Sequence, residues 1–148
     1  MLSSIIRIDS KNLSMNIYNQ LRLTNLLLLI SFFFIYLEWG HGSSSFMFDV
    51  LREMFDKKDD LLSTLLHPVV LPTLVGLILL LTCVLLPRIN RWFNLLAVLL
   101  PSAIVAFVFL IGVFGMNARI TLSTLPFILV SIQYFRIRRQ IRKTQEAL

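Results

Sequence analysis

Charged residues are scarce in this sequence, and its two longest apolar runs contain none. Only 15% of the 148 residues are charged, whereas 57% are apolar, and the mean hydropathy is +0.80. A water-soluble domain of this length needs far more polar surface. The lipid bilayer is therefore the expected solvent for most of the chain.

Titratable groups are also missing from the middle of the apolar runs. This argues against a proton relay, a coupled ion transporter or a voltage sensor. A two-fold internal repeat of the transporter kind is not visible. The sequence also lacks a Ser–His–Asp set, an HExxH pair, a CxxC pair and a glycine-rich phosphate loop. A non-enzymatic protein is therefore favoured over an enzyme, and no cofactor is expected.

Cysteine occurs once, at Cys83, inside an apolar run. One cysteine forms no internal disulfide, so it does not indicate a redox compartment. Its expected role is that of a small buried apolar side chain.

Four apolar segments remain, and they predict an all-α polytopic membrane protein with four transmembrane helices. A spanning helix needs about 20 apolar residues, with a range of roughly 17–25. Interior prolines at Pro101 and Pro126 are expected to kink or break their helices locally. The predicted order is a tail over 1–22, spans over 23–39, 68–86, 92–114 and 119–135, connections over 40–67, 87–91 and 115–118, and a basic tail over 136–148.

The distribution of arginine and lysine predicts the orientation. Ten of these residues lie in the two tails and the 87–91 connection, and four lie on the other side. By the positive-inside rule both termini are expected in the cytoplasm. A competing interpretation is a signal peptide with its apolar core at 26–37 and cleavage near Gly40–Gly42, which would leave three spans.

The 40–67 connection is predicted to carry an amphipathic helix on the outer membrane face. A polar link, GHGSSS, comes first, and Ser45 is a candidate N-cap. Apolar residues then recur every three or four positions, as in a helical stripe. This helix is expected either to cover the ends of the spans or to dock an extracytoplasmic partner, and the stripe fits both.

A cluster of candidate site residues falls at the outer interface: Glu38, Trp39, His41, His67 and Arg119. Two imidazoles and a carboxylate can bind Zn²⁺, so Glu38, His41 and His67 are weak metal candidates. The structural alternatives are an ion pair between Glu38 and Arg119 or a similar base, because a carboxylate near hydrocarbon is tolerated when paired, and a solvated Glu38 at the interface. A further interpretation of this cluster is a binding site for a lipid headgroup or a quinone.

Polar residues elsewhere have simpler interpretations. Neutral ones within the spans, such as Asn25 and Asn94, are expected to support helix packing. The basic tail is expected to fix topology and to contact anionic lipid headgroups rather than nucleic acid. Its residues are Arg136, Arg138, Arg139, Arg142 and Lys143.

The run YLEWGHGSSSFMF, followed by HPVVLPTLVG, resembles small four-helix inner-membrane proteins of Bacteroidetes-type bacteria. That resemblance implies a bacterial inner-membrane location, but it implies no activity, cofactor or partner. The leading expectation is an accessory or assembly subunit that contacts lipid and other membrane proteins through its spans or outer loop. The alternatives are a protective protein of the bacteriocin-immunity kind, and a quinone-, lipid- or metal-binding protein.

Overall fold

The computed structural model describes residues 19–39, 43–56, 70–86 and 90–146. These residues form five helices and one two-stranded antiparallel sheet. Most of the predicted 1–22 tail, the second half of the 40–67 connection and residues 87–89 lie outside them. In chain order the elements are α1 over 19–33, β1 Tyr36–Trp39, β2 Ser43–Phe46, α2 Met47–Asp56, α3 Val70–Leu85, α4 Arg91–Phe114 and α5 Ala118–Glu146.

The long helices pack as consecutive neighbours. Helix α3 packs against α4, and α4 packs against α5. The two helices approach closely at Gly76 of α3, where a Cβ would lie 2.6 Å from Cδ of Pro101 on α4. The buried core draws on α1, α3, α4 and α5, with Leu28, Phe32, Leu80, Val98, Val105, Phe127 and Tyr134 among its members.

A tight turn joins α4 to α5. The amide of Met116 donates to the Val113 carbonyl at 3.2 Å, and that of Asn117 donates to the Gly112 carbonyl at 2.9 Å. This is the hydrogen-bond pattern of a Schellman motif. Met116 occupies the left-handed position, with φ of 50°. The turn makes α4 and α5 antiparallel neighbours.

Two helices are long and apolar enough to cross a membrane: Arg91–Phe114 and Ala118–Arg142. Only 33% and 28% of their most apolar stretches are buried inside the protein. Helix α3 is apolar but has 16 residues, and α1 is helical over 19–33. The predicted all-α character is thus confirmed for the greater part of the described chain, while four-span topology stays a prediction.

The first predicted span, 23–39, does not remain helical to its end. Tyr36–Trp39 is a β-strand that pairs with Ser43–Phe46. The strand was missed because IYLEW continues the apolar run before it. Its signal was the short run rich in aromatic residues, followed by three residues that include glycine and then a second short run. The polar link SSS is therefore a strand, and Ser45 is not an N-cap.

The helices differ in length from the apolar segments that were used to predict the spans. The fourth apolar segment is the shortest, yet α5 has 29 residues and includes nearly all of the predicted basic tail. Both Pro101 and Pro126 lie inside continuous helices. Backbone hydrogen bonds continue through polar sequence as readily as through apolar sequence, so hydropathy alone does not mark where a helix ends.

Candidate functional site

The hairpin of β1 and β2 lies beside the start of α5. Within it Tyr36 is paired with Phe46 and Glu38 with Ser44. The rings of Tyr36 and Phe46 meet edge to face, with centroids 5.6 Å apart. Such aromatic cross-strand pairs stabilise short antiparallel ladders. The hairpin is therefore a paired β-structure with its own stabilising side-chain contacts, rather than an irregular loop.

Hydrogen bonds attach this hairpin to its neighbours on both sides. The amide of Met47, at the start of α2, donates to the Ile35 carbonyl at 2.8 Å. The amide of Tyr36 donates to Oγ of Ser123 at 3.0 Å, and the Ser123 hydroxyl donates to the Ile120 carbonyl at 2.8 Å. One serine of α5 thus positions the first residue of β1.

Asn117 is the central residue of this region, because each of its polar groups has a partner. Its Oδ1 accepts from the amides of Arg119 and Ile120 at 3.1 and 3.3 Å, which makes it the N-cap of α5. Its Nδ2 donates to Oε2 of Glu38 at 2.7 Å. One amide side chain therefore caps a helix and joins that helix to the hairpin.

The expected ion pair between Glu38 and Arg119 is not formed. Glu38 is exposed and accepts from Asn117, while Arg119 is exposed and contacts Asn117 through its backbone amide. An exposed ion pair contributes only about 0–1 kcal/mol and restrains two long side chains, whereas Asn117 is held in place by its capping role. Sequence reasoning missed Asn117, although an Asn directly before a helical segment is an N-cap signal.

The remaining predicted site residues are not brought together by the described part of the chain. Trp39 ends β1, and its side chain is outside the described residues, as are His41 and His67. The predicted metal, quinone or headgroup site built on Glu38 with these residues therefore stays a prediction. Among the residues described, no group of three His, Cys, Asp or Glu side chains is placed to hold a metal ion.

A second polar cluster lies at the opposite end of the helices. Nε of Arg22 donates to the Val84 carbonyl at 2.9 Å, which joins α1 to the last turn of α3. Nδ2 of Asn25 donates to Oδ1 of Asn94 at 3.3 Å, which joins α1 to the first turn of α4. Asn25 is fully buried, and its Oδ1 has no partner. Asn25 and Asn94 thus bridge two helices, as expected of polar residues that support packing.

The basic residues of α5 lie at this same end. Arg136, Arg139 and Arg142 are exposed, whereas Arg138 is half-buried. The Tyr134 hydroxyl and the Arg138 side chain are hydrogen-bond partners, and the same hydroxyl is within electrostatic range of Cys83 in the last turn of α3. Lys143 belongs to α5, but its side chain is outside the described residues.

Neither a family model, nor a curated protein, nor a solved structure matches this chain. The resemblance to four-helix membrane proteins therefore stays a prediction. Function is therefore inferred from the two polar clusters at the ends of the helices and from the apolar surface between them.

Proposed function

We propose that the protein is a non-enzymatic integral membrane protein in which α1, α3, α4 and α5 cross the bilayer. The observation that carries this proposal is the exposed apolar surface of α4 and α5. Large apolar side chains that include Phe107, Leu110, Leu122 and Leu129 are exposed along their length. In water such a surface would drive association, whereas lipid tails cover it without cost.

The dimensions of α4 support a membrane-spanning position for that helix. Helix α4 has 24 residues, which at about 1.5 Å per residue is about 36 Å, enough for a hydrocarbon layer of about 30 Å. Exposed Trp92 and Phe93 lie near its first end, and exposed Phe114 lies at its last residue. Aromatic side chains at both ends are typical of a helix whose ends lie at the two interfaces.

The contacts between helix ends support an alternating arrangement of four spans. The start of α1 contacts the end of α3 and the start of α4. The chain that follows α1 contacts the sixth residue of α5, Ser123. These contacts fit helices that run alternately up and down, with the hairpin on one side of the membrane and the basic residues on the other.

Charge distribution supports a cytoplasmic location for the basic side, and hence for both termini. Six of the eight arginines described lie at that side, and the carboxylates whose side chains are described lie on the hairpin or α2. Because cytoplasmic segments are enriched in arginine and lysine, the hairpin and α2 are assigned to the outer face of a bacterial inner membrane.

Cysteine labelling with a membrane-impermeant maleimide tests the topology in a Cys83→Ser background. Ser44→Cys, on the hairpin, is expected to react in intact cells. Arg139→Cys is expected to react only after permeabilisation. Ala103→Cys is the decisive position, since Ala103 is exposed near the middle of α4. It should stay unlabelled in both cases, and rapid labelling would contradict a lipid-facing α4.

We further propose that the protein acts as an accessory or assembly subunit, with α2 as its outer docking element. Helix α2 is amphipathic: Met47 is buried against the core, while Phe48 and Arg52 are exposed. A photo-crosslinking residue at Phe48 is expected to capture one membrane partner, and the same residue at Trp92 serves as control. Native mass spectrometry from a gentle detergent should show that partner in fixed stoichiometry. A lone monomer without an adduct from Phe48 would contradict the subunit role.

A further inference from the structure

Arg138 differs from the other described arginines of α5 in its burial. Arg136, Arg139 and Arg142 are exposed, whereas Arg138 is half-buried. Its guanidinium and the Tyr134 hydroxyl are hydrogen-bond partners, but its Nη1 is buried with no partner. A buried guanidinium nitrogen without an acceptor carries a desolvation penalty, and its positive charge adds to it. An acceptor from outside the chain would remove this penalty.

Arg22, on α1, lies at the same end of the helices as Arg138. Its Nε donates to the Val84 carbonyl, while the Tyr134 hydroxyl, the hydrogen-bond partner of Arg138, is within electrostatic range of Cys83. Arg22 therefore contacts the last turn of α3 directly, and Arg138 is related to that turn through Tyr134. The negative end of the α3 dipole favours cations there but neutralises only part of their charge.

None of the four carboxylates whose side chains the structure describes lies near these two arginines. Glu38, Asp49, Glu53 and Asp56 belong to the hairpin and α2, at the other end of the helices. None of these four carboxylates is a partner for Arg138, so its Nη1 is open to an external anion. The chemistry that fits is a phosphate group, because a guanidinium donates two parallel hydrogen bonds to phosphate oxygens.

We propose that Arg138 and Arg22, at the last turn of α3, bind the phosphate of an anionic phospholipid of the cytoplasmic leaflet. The inference rests on the proposed membrane location. It assigns headgroup binding to two residues rather than to a diffuse attraction between anionic lipids and the whole basic tail. A lipid is chosen over a free phosphate ion because this end also exposes Leu85, Trp92 and Phe93, against which acyl chains would lie. Basic pockets between helices on this side of a membrane bind anionic headgroups in the same way.

Native mass spectrometry of the purified full chain tests this proposal, with phosphatidylglycerol and phosphatidylcholine supplied at equal concentration. The wild-type chain should retain phosphatidylglycerol in preference by about tenfold. Arg138→Gln should reduce that preference to near unity, since loss of a charge-assisted pair costs about one order of magnitude in affinity. Arg138→Lys keeps the charge but not the two-pronged geometry, so it should lose about half of the effect.

Arg139→Gln is the matched control, because it removes the same charge from an exposed neighbour on the same helix. Its preference should stay within about twofold of wild type. An equal loss in Arg139→Gln and Arg138→Gln would overturn the site in favour of diffuse attraction. If inorganic phosphate stabilises the chain against heat as strongly as phosphatidylglycerol does, the lipid assignment fails and a soluble phosphate ligand replaces it.

Two further comparisons distinguish loss of headgroup binding from failure to fold and from failure to insert into the membrane. Should Arg138→Gln fail to fold, Arg22→Gln and Arg138→Lys carry the test, and unchanged lipid preference in both would reject the proposal. Resistance to carbonate extraction should be the same for every variant, since it reports insertion rather than headgroup binding. Loss of that resistance in the wild-type chain would instead contradict the membrane location.

Discussion

The hairpin end of the molecule, formed by β1, β2 and Asn117, and the basic end, formed by Arg22, Asn25 and Arg138, terminate their helices differently. At the hairpin end each polar group of Asn117 has a protein partner, and Glu38 is among them. At the basic end Oδ1 of Asn25 and Nη1 of Arg138 are buried without one. A satisfied end stabilises a single arrangement, whereas a buried polar group without a partner carries a desolvation penalty that a bound partner would remove. The comparison thus separates a structural end from a candidate binding end.

The largest expected effect tests how closely the hairpin end is packed. A Cβ at Gly112 would lie 2.8 Å from Oγ1 and 2.9 Å from the backbone nitrogen of Thr121. Gly112→Val should therefore force α4 and α5 apart and lower the free energy of unfolding by about 2–3 kcal/mol. Titration with SDS of the purified chain measures this. Ala103→Val, at an exposed position of α4, is the matched control and should change stability little.

The next effect compares the asparagine caps at the two ends. Asn117 caps α5 through two amides and also binds Glu38, whereas Asn90 caps α4 through one amide, that of Trp92, at 3.2 Å. Asn117→Ala should cost about 1–2 kcal/mol and Asn90→Ala about 0.5–1 kcal/mol. Unfolding free energies measured under identical conditions decide the order. A larger loss of unfolding free energy for Asn90→Ala would contradict the expectation that the cap at the hairpin end is the stronger of the two.

A smaller effect tests the link between α1 and α4 at the basic end. A double-mutant cycle of Asn25→Ala and Asn94→Ala should give a coupling energy of about 0.6 kcal/mol, typical of hydrogen bonds between membrane helices. The modest value is expected because the bond is 3.3 Å long. A coupling near zero would mean that the two asparagines act independently, and α1 would then be held there by Arg22 and apolar packing.

The smallest effect concerns the acid at the hairpin end. Glu38→Gln keeps an oxygen for Asn117 to donate to, so the unfolding free energy should fall by less than about 0.5 kcal/mol. The change should be insensitive to salt, since no ion pair is lost. A larger, salt-dependent loss would instead support the pair with Arg119 that the sequence suggested.

The apolar helices and the separation of charge along the chain follow from the amino-acid sequence alone. The long charge-free runs set helices α3 and α4 close to their predicted positions, because a run of apolar residues favours a hydrogen-bonded helix away from water. The stripe after Ser45 likewise predicted an amphipathic helix, and α2 is found at Met47–Asp56. These features depend on local composition and spacing, which are legible in one sequence.

Which polar groups form hydrogen bonds with one another depends on the three-dimensional packing of the helices. Glu38 and Asn117 are 79 residues apart, and Asn25 and Asn94 are 69 apart, so no local pattern indicates either pair. The strand at Tyr36–Trp39 was hidden for a related reason, since its stability comes from pairing with Ser43–Phe46 and from Ser123 on a distant helix. Hydropathy records how much a segment prefers to leave water, but the choice of partners depends on which helix ends the fold brings together.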